Sequence, residues 1–593
     1  MTGYSMPKSD TDETFSFFIK SLRFNDGLNL SLEAGCTLIF TGPNNCGKSV
    51  TLREIADHIL RPELIPHSII LRSIETQHEA TRSSFISWMR RNYPVQKTAE
   101  LVNNVLHPDV ETFLTAQGRG MTVSSIPEPL TLAFLTQSAK LLVQRLEAST
   151  RLSLADSAVS LPYDTGPAAY IHFLQRNEEL RRSISALVQA AFDRELIINW
   201  GGGQRVWFHV GSDPARSHDE DRVSPRYLTD LAGQPRLDHE GDGIRSFVGL
   251  VLAAKFSSHP ICVIDEPEAF LHPPQARRLG AILAESAATG KRQMIVATHS
   301  SDIIRGAMDA SRNVVVCRMV REGSLNRVSV LGRSELQDLW MKPLLRSSVA
   351  IDGLFHSGVV VCEGDSDCRF YEAMALRTEK EPPRALDMYF AHGGGKGAIA
   401  ALVQTYRALS VPTAVIADLD LLRRREEFLK LYETLGGDAE GISALYHRVS
   451  AALNDRKPLA SVSDFANCVE VVLNRVKQTD RITPSDRRQI RDALETASDW
   501  SEAKRYGVNR LKGSELTAGK DLLARCQEIG LFMVPCGALE GWWAEGPTDK
   551  AAWIADTIPK ISESPEVFRD AADFVASVCG YLAGRTALNP ASI

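Results

Sequence analysis

The octet Gly42-Pro43-Asn44-Asn45-Cys46-Gly47-Lys48-Ser49 constrains this chain more than any other stretch. The apolar run Cys36 to Phe40 leads straight into it. Leu52, Ile55, Ala56 and Ile59 follow it at helical spacing. A strand, a glycine loop and a helix in that order make a phosphate-binding loop. Backbone N–H groups of the loop and of the helix N-terminus then surround phosphate oxygens. Gly42, Asn45 and Gly47 shape the cradle. Lys48 reaches the β- and γ-phosphates, and Ser49 offers a hydroxyl to magnesium. The ligand this implies is ATP or a related triphosphate.

Two later strand ends supply the remaining parts. Ile261-Cys262-Val263-Ile264 is an apolar strand that ends in Asp265-Glu266. Asp265 is placed to hold magnesium through water, and Glu266 to activate the attacking water. Gln293 to Ala297 is a second apolar strand, and it ends in Thr298-His299-Ser300. His299 there can touch the γ-phosphate or polarise the water. Gly241-Asp242-Gly243-Ile244-Arg245-Ser246 opens a further apolar helix, whose N-terminus is a ready anion site.

At 593 residues the chain is too long for one core, and two to four domains are expected. Hydrophobic residues make up 44% and charged residues 24%, which excludes collagen, continuous coiled coil and general disorder. The net charge of -6 requires any DNA binding to come from local basic patches or bound metal. The ten cysteines are scattered without a CxxC pair. That argues for a reduced, cytoplasmic compartment and against a zinc site. Met1 to Thr14 lacks an apolar signal core, and the apolar run Phe247 to Ala254 is too short to span a bilayer, so no membrane role is expected. Between about residues 80 and 200, apolar spacing such as Leu141, Leu142 and Leu146 predicts a helical insertion with no recognisable chemistry of its own.

The glycine loop, the Asp265-Glu266-Pro267-Glu268-Ala269-Phe270-Leu271-His272-Pro273 run and His299 together resemble the ATP-binding-cassette superfamily, in its SMC-like and OLD-like branch. The resemblance covers roughly the first 340 residues. It implies a homodimer in which Gly243 and Ser246 of one subunit cap the nucleotide of the other. The sequence departs from a strict LSGGQ signature at that point.

The second half carries a different pattern. Val359 to Cys362 is an apolar strand that ends in Glu363-Gly364-Asp365-Ser366-Asp367 and opens a helix. Met388 to Ala391 is another strand, followed by a glycine run at Gly393 to Gly397 that reads as a tight strand-to-helix turn. Thr413 to Ala417 ends in Asp418-Leu419-Asp420, whose alternate residues share a face. Leu531 to Val534 precedes Gly537-Ala538-Leu539-Glu540. Strands alternating with helices predict a parallel sheet with its acids at one edge. Carboxylates that close repel unless a cation neutralises them, and oxygen ligands select magnesium or manganese. Such ions activate water and stabilise the leaving oxygen of a phosphodiester. Lys504, Arg505, Tyr506, Arg510 and Lys512 form a basic stretch that either follows a DNA backbone or is a solvated face.

These residues resemble the Toprim fold over about 350 to 545. The resemblance assigns Glu363, Asp367, Asp418 and Asp420 as metal ligands, joined by Glu540, with Glu363 and Asp418 essential for cutting. A cassette ATPase followed by Toprim resembles the OLD nucleases and the nuclease subunit of Gabija antiphage systems. The expected chain is α/β. It has an ABC-type P-loop ATPase core with a helical insertion at 1–345, then a Toprim domain with helical additions at 346–593. The implied activity is an ATP-governed, metal-dependent DNA endonuclease in antiphage defence, working as a homo-oligomer and often beside a helicase-like partner. The competing reading is a nucleotide-sensing ATPase whose Toprim domain only binds partners. A topoisomerase or primase is disfavoured, because neither a tyrosine domain nor zinc-binding cysteines are recognisable.

Overall fold

The computed structural model describes residues 15–61, 67–93, 95–102, 105–114, 120–162, 167–215, 221–331, 351–378, 387–393, 396–408, 410–453, 462–479, 482–483, 507–547 and 549–587. The chain divides into two compact units, Met1–Trp340 and Met341–Ile593. The expected boundary at 345/346 lies outside the described residues, as do Lys504 to Tyr506 and Gly394-Gly395.

The first unit is built on a six-stranded sheet. Its strand order is Leu325–Leu331, Val314–Glu322, Thr37–Thr41, Gln293–Ala297, Ile261–Asp265 and Val143–Leu146. All neighbours pair in parallel except the first two strands, which form an antiparallel edge hairpin. The central strands Thr37–Thr41 and Gln293–Ala297 are buried along their whole length. They read as continuous apolar runs because helices cover both faces of such a sheet. Leu38, Phe40, Val263 and Ile295 pack with Leu52, Ile55 and Ile59 of the helix Lys48–Leu60. A smaller antiparallel sheet, Asn29–Ser31, Ser16–Phe24 and Leu71–Glu79, contributes Ile19, Leu22 and Phe24 to the same core.

The segment from about 80 to 200 is not the helical insertion its spacing predicts. It contains the helices Arg82–Asn92 and Glu178–Phe192, but also a three-stranded antiparallel sheet of Val95–Val102, Val105–Leu114 and Gly120–Thr122. Leu146 lies on the strand Val143–Leu146, which pairs with Ile261–Ile264 and so belongs to the main sheet. A short apolar run has no periodicity that separates a buried strand from a buried helix.

The helices Pro273–Gly290 and Ser301–Ala310 leave the two site loops and pack backbone to backbone. Gly280 faces the Ile303 carbonyl, and Gly306 faces the Arg277 carbonyl; a Cβ at either position would overlap that oxygen. The absence of two side chains therefore sets this close approach.

The second unit has a four-stranded, wholly parallel sheet in the order Met388–His392, Gly358–Cys362, Thr413–Ala417 and Leu531–Met533. This is the arrangement the strand–helix alternation predicts. Val360, Cys362, Ala414, Ile416 and Phe532 pack against Phe370, Tyr371, Trp553 and Phe574, from the helices Asp365–Thr378, Lys550–Glu563 and Arg569–Ala587. Among the described residues no helix is long and apolar enough to cross a membrane.

The glycines give a stability test. Gly306→Val should destabilise the protein by about 2 kcal/mol, because overlap with a backbone carbonyl outweighs any gain in helix propensity. Gly580 sits in the helix Arg569–Ala587 with nothing within 4 Å of an added Cβ. Gly580→Ala should instead stabilise by roughly 0.5–1 kcal/mol. Urea denaturation midpoints of the two variants should move in opposite directions.

Candidate functional site

Three strand ends meet in the first unit. Thr298 N–H donates to the Phe40 carbonyl (3.1 Å), and Glu266 N–H donates to the Ala297 carbonyl (2.9 Å). The glycine loop, Asp265-Glu266 and Thr298-His299 are thereby fixed side by side at the carboxyl edge of the sheet, where open α/β sheets bind ligands. The loop turns through left-handed backbone at Gly42 (φ 138°), Asn45 (φ 62°) and Gly47 (φ 102°). A side chain at Gly47 would also meet Ile70 Cδ1 at 2.7 Å and Asn326 Nδ2 at 2.8 Å. Conformation and space both demand glycine there.

Lys48 is 6% exposed and folds over its own loop. Its Nζ donates to the carbonyls of Gly42 (2.9 Å) and Pro43 (3.0 Å). Burial pushes its pKa down, while Cys46, Glu266 and Asp265 push it up. An ammonium held by loop carbonyls is a strong donor ready for phosphate oxygens. Ser49 Oγ donates to Asp265 Oδ1 at 3.1 Å, which joins the two residues expected to share a magnesium ion. Burial pushes the Asp265 carboxyl up, against the Ser49 hydrogen bond that lowers it. This donor set of hydroxyl and carboxylate fits a hard divalent cation.

Glu266 stands at φ 47°, a left-handed conformation unusual for a non-glycine residue. Its carboxylate is exposed, and Oε1 lies 3.9 Å from His299 Nε2. Burial first, and then Lys48, hold the His299 pKa below its ordinary value, so the imidazole is neutral near pH 7. Glu266 and His299 therefore converge on one solvent-facing point beside Lys48.

Sequence reasoning missed Arg151. It lies on the short helix Ala148–Ser153 and is fully buried. Its Nη1 donates to the carbonyls of Asp265 (3.1 Å) and Glu266 (2.8 Å). The region expected to lack chemistry thus supplies the cation that grips the acid turn.

Ser246 does not occupy the position expected of a residue that caps a neighbour's nucleotide. It is fully buried, one turn inside the helix Asp242–Phe256. A helix exposes only its first turn at such an end, and position 246 faces the core. Gly243 is partly exposed, and a Cβ there would lie 2.6 Å from the Phe270 carbonyl oxygen. Its glycine serves the packing of this helix on the Glu266–His272 loop.

In the second unit, ligand oxygens of Glu363, Asp418 and Asp420 lie within 4.8 Å of one another. Glu363 follows the strand Gly358–Cys362, and its Oε1 accepts from Asp418 N–H at 3.1 Å. The two aspartates converge by a different device from strand alternation. The strand ends at Ala417, and Asp418 begins a 3-10 turn, Leu419–Arg423, that carries Asp420 back. Leu419 N–H donates to the Gly537 carbonyl (2.8 Å), which ties this turn to the Pro535–Glu540 segment. Three oxygen donors at this spacing fit one magnesium or manganese ion.

Asp367 and Glu540, expected as further ligands, lie outside that group. Asp367 is 4% exposed, and both its oxygens accept from Lys550 Nζ at 3.2 Å. A buried carboxylate needs a counter-charge, and here a lysine 183 positions away provides it. Glu540, on the short turn Leu539–Trp543, is also among the charges acting on Lys550. Burial alone would lower the Lys550 pKa; Asp367, Asp418 and Glu540 outweigh it and hold the ammonium protonated. No local motif marks Lys550 in the sequence. It stands at the start of a helix otherwise notable only for amphipathicity.

The basic stretch is described only at its end. Gly507–Arg510 forms a short turn in which Val508 N–H donates to the Pro535 carbonyl (3.0 Å), beside the acidic site. In the run Arg423-Arg424-Arg425, Arg424 pairs locally with Glu427, Nη1 to Oε1 at 2.8 Å.

Two family models match parts of the chain. Residues 211–305 match the family described as "AAA domain, putative AbiEii toxin, Type IV TA system", a stretch that contains Asp265, Glu266 and His299. Residues 354–420 match the "Overcoming lysogenization defect protein-like, TOPRIM domain" family and contain Glu363, Asp367, Asp418 and Asp420. No curated protein matches the chain. Among solved structures, an Smc head bound to the C-winged helix domain of ScpA is 14% identical, with a TM-score of 0.32, over 54% of this chain and 99% of that one. The SMC head domain from Thermotoga maritima is 12% identical, with a TM-score of 0.27, over the same shares. A nucleotide-free ATP-binding cassette from an ABC transporter is 12% identical, with a TM-score of 0.23, over 56% and 96%. The chain thus carries a match to an AAA-type ATPase domain followed by a match to an OLD-like Toprim domain, an order that fits an OLD-family ATPase–Toprim protein.

Proposed function

We propose that the protein is a divalent-metal-dependent DNA endonuclease whose cutting is governed by ATP. The observation that carries this reading is the convergence of Glu363, Asp418 and Asp420 on one point at the carboxyl edge of a parallel sheet. Bound magnesium or manganese supplies a lowered water pKa and stabilises charge on a phosphodiester. Glu363, Asp418 and Asp420 hold the ion. Lys550 keeps Asp367 neutralised and places a positive charge beside the acids, where an anionic backbone would otherwise be repelled. The described end of the basic stretch, Arg510 and Lys512, supports DNA as the substrate.

In the first unit Lys48, Ser49 and Asp265 bind ATP and its magnesium. Glu266 orients and deprotonates the attacking water, and neutral His299 donates a hydrogen bond to the γ-phosphate. The exposed carboxylate of Glu266 favours a second copy of the chain closing over the nucleotide, hence a homodimer or larger homo-oligomer. Gly243, partly exposed near the start of its helix, is the residue placed to cap the neighbour's nucleotide, whereas Ser246 is buried. Cytoplasmic antiphage defence, alone or with a helicase-like partner, is the biological role we assign, on the strength of the OLD-like domain order.

Supercoiled plasmid incubated with the protein, with and without each metal and ATP, tests the reading. Nicked or linear product should form only with magnesium or manganese, and its amount should change with ATP. No cutting in any condition, with or without partner proteins, would instead favour a Toprim domain that only binds partners. Glu363→Ala or Asp418→Ala should abolish cutting and leave ATP hydrolysis within about twofold of wild type. Lys550→Met should reduce cutting by about 100-fold through loss of a fixed positive charge. Glu266→Gln should slow ATP turnover by about 100-fold while nucleotide binding, followed with a fluorescent ATP analogue, persists.

A further inference from the structure

The acid turn contains a third carboxylate that the proposed chemistry does not use. Glu268 lies two residues beyond Glu266, on the far side of Pro267. Its Oε1 accepts a hydrogen bond from the His299 backbone N–H at 2.6 Å. A bond this short, to the carboxyl oxygen of a largely buried side chain, holds both partners closely. It joins the acid turn directly to the residue that carries the imidazole.

The two strand ends are therefore linked twice. Glu266 N–H to the Ala297 carbonyl continues the sheet ladder. Glu268 to His299 N–H adds a second link two residues further on, beyond the point where the strand Gln293–Ala297 has ended. Thr298 N–H still reaches the Phe40 carbonyl, but the next two N–H groups are held by side chains. Ser300 N–H donates to Thr298 Oγ1 at 3.0 Å, and His299 N–H donates to Glu268. The imidazole projects from that segment, with Nε2 3.9 Å from Glu266 Oε1. Arg151 braces the turn from inside, through the carbonyls of Asp265 and Glu266. Of the charges acting on Arg151, Glu268 is the strongest. Burial pushes the Glu268 carboxyl up, and the His299 N–H and Thr298 hydroxyl oppose that.

We infer that Glu268 is a positioning residue for ATP hydrolysis: its carboxylate holds the His299 main chain so that the imidazole stays beside Glu266 and Lys48. The inference rests on the ATPase reading above and adds to it a residue that touches neither nucleotide nor metal. Removing the acceptor releases the His299 N–H, the main-chain group from which the ring projects, and the imidazole leaves its working position. A misplacement of about 1 Å costs one to two powers of ten in rate without loosening ground-state binding. A glutamine side chain in its place would keep an acceptor oxygen at the same reach, so charge is not the property required.

Steady-state ATP turnover of the full chain tests this. Glu268→Ala should lower kcat by about tenfold with KM for ATP within about twofold, and Glu268→Gln should stay within about threefold of wild type. Glu268→Met fills the same volume without an acceptor, and carries the test if the alanine variant does not fold. The deciding measurement is the pair in a His299→Ala background, where the backbone N–H remains and the imidazole is gone. There the Glu268→Ala change should have no further effect on kcat, because Glu268 acts through the ring. A further tenfold loss in that background, or undiminished kcat in the single variants, would overturn the assignment while wild-type hydrolysis kept the ATPase reading intact. Absence of hydrolysis by the wild-type chain would overturn both.

Discussion

Like charges held at the end of a parallel sheet repel, and both units of this protein are organised around that cost. Parallel strands deliver residues to one edge because every connection returns through a helix. Acids placed there by different strands must share a small volume. In the first unit Asp265, Glu266 and Glu268 crowd one turn, and Lys48 and Arg151 answer them from two sides. In the second, Lys550 answers Asp367, and three carboxylates gather where a metal ion would sit. Each site holds its acids against their own repulsion with a lysine or arginine of distant sequence origin.

The backbone takes up part of the same load. Glu266 adopts a left-handed conformation that costs a non-glycine residue about 1 kcal/mol or more. Arg151 offsets it with two hydrogen bonds to successive carbonyls, and Ala297 offsets it through the Glu266 N–H. The strain aims the Glu266 carboxylate out of the strand line and toward solvent, where a nucleotide would lie. Without the bond from Arg151, the turn could relax to an ordinary conformation and lose that aim. The close passage of the helices Pro273–Gly290 and Ser301–Ala310 has the same effect at a larger scale. Glycines at 280 and 306 bring together the backbones that follow the Glu266 and His299 loops.

What the sequence disclosed follows the range of the forces involved. The glycine loop, the Asp265-Glu266 strand end and the Glu363 and Asp418 strand ends were legible because each depends on adjacent residues: an apolar strand, a turn, a helix. The parallel sheet of the second unit was legible for the same reason. Arg151 and Lys550 were not, because their partners lie 114 and 183 positions away and nothing local requires them. The strand Val143–Leu146 was hidden because its two buried residues, Val143 and Leu146, lie three apart, a spacing that a helix turn shares. The Lys550 partner of Asp367 was not legible either, because a motif gives a residue's position but not the charge opposite it. Ser246 was misread because the helix N-terminus is shallow, and one turn separates an exposed residue from a buried one.

Lys550 ties the second unit's acids together over a longer reach. Both oxygens of the buried Asp367 accept from its ammonium, and Asp418 and Glu540 act on it as well. Asp418 also belongs to the group that Glu363 and Asp420 complete at the candidate metal point. One side chain from a distant helix therefore faces acids delivered by three separate segments. Removing it would leave Asp367 buried without its counter-charge, and the cost of that falls on the same sheet edge that gathers the other carboxylates.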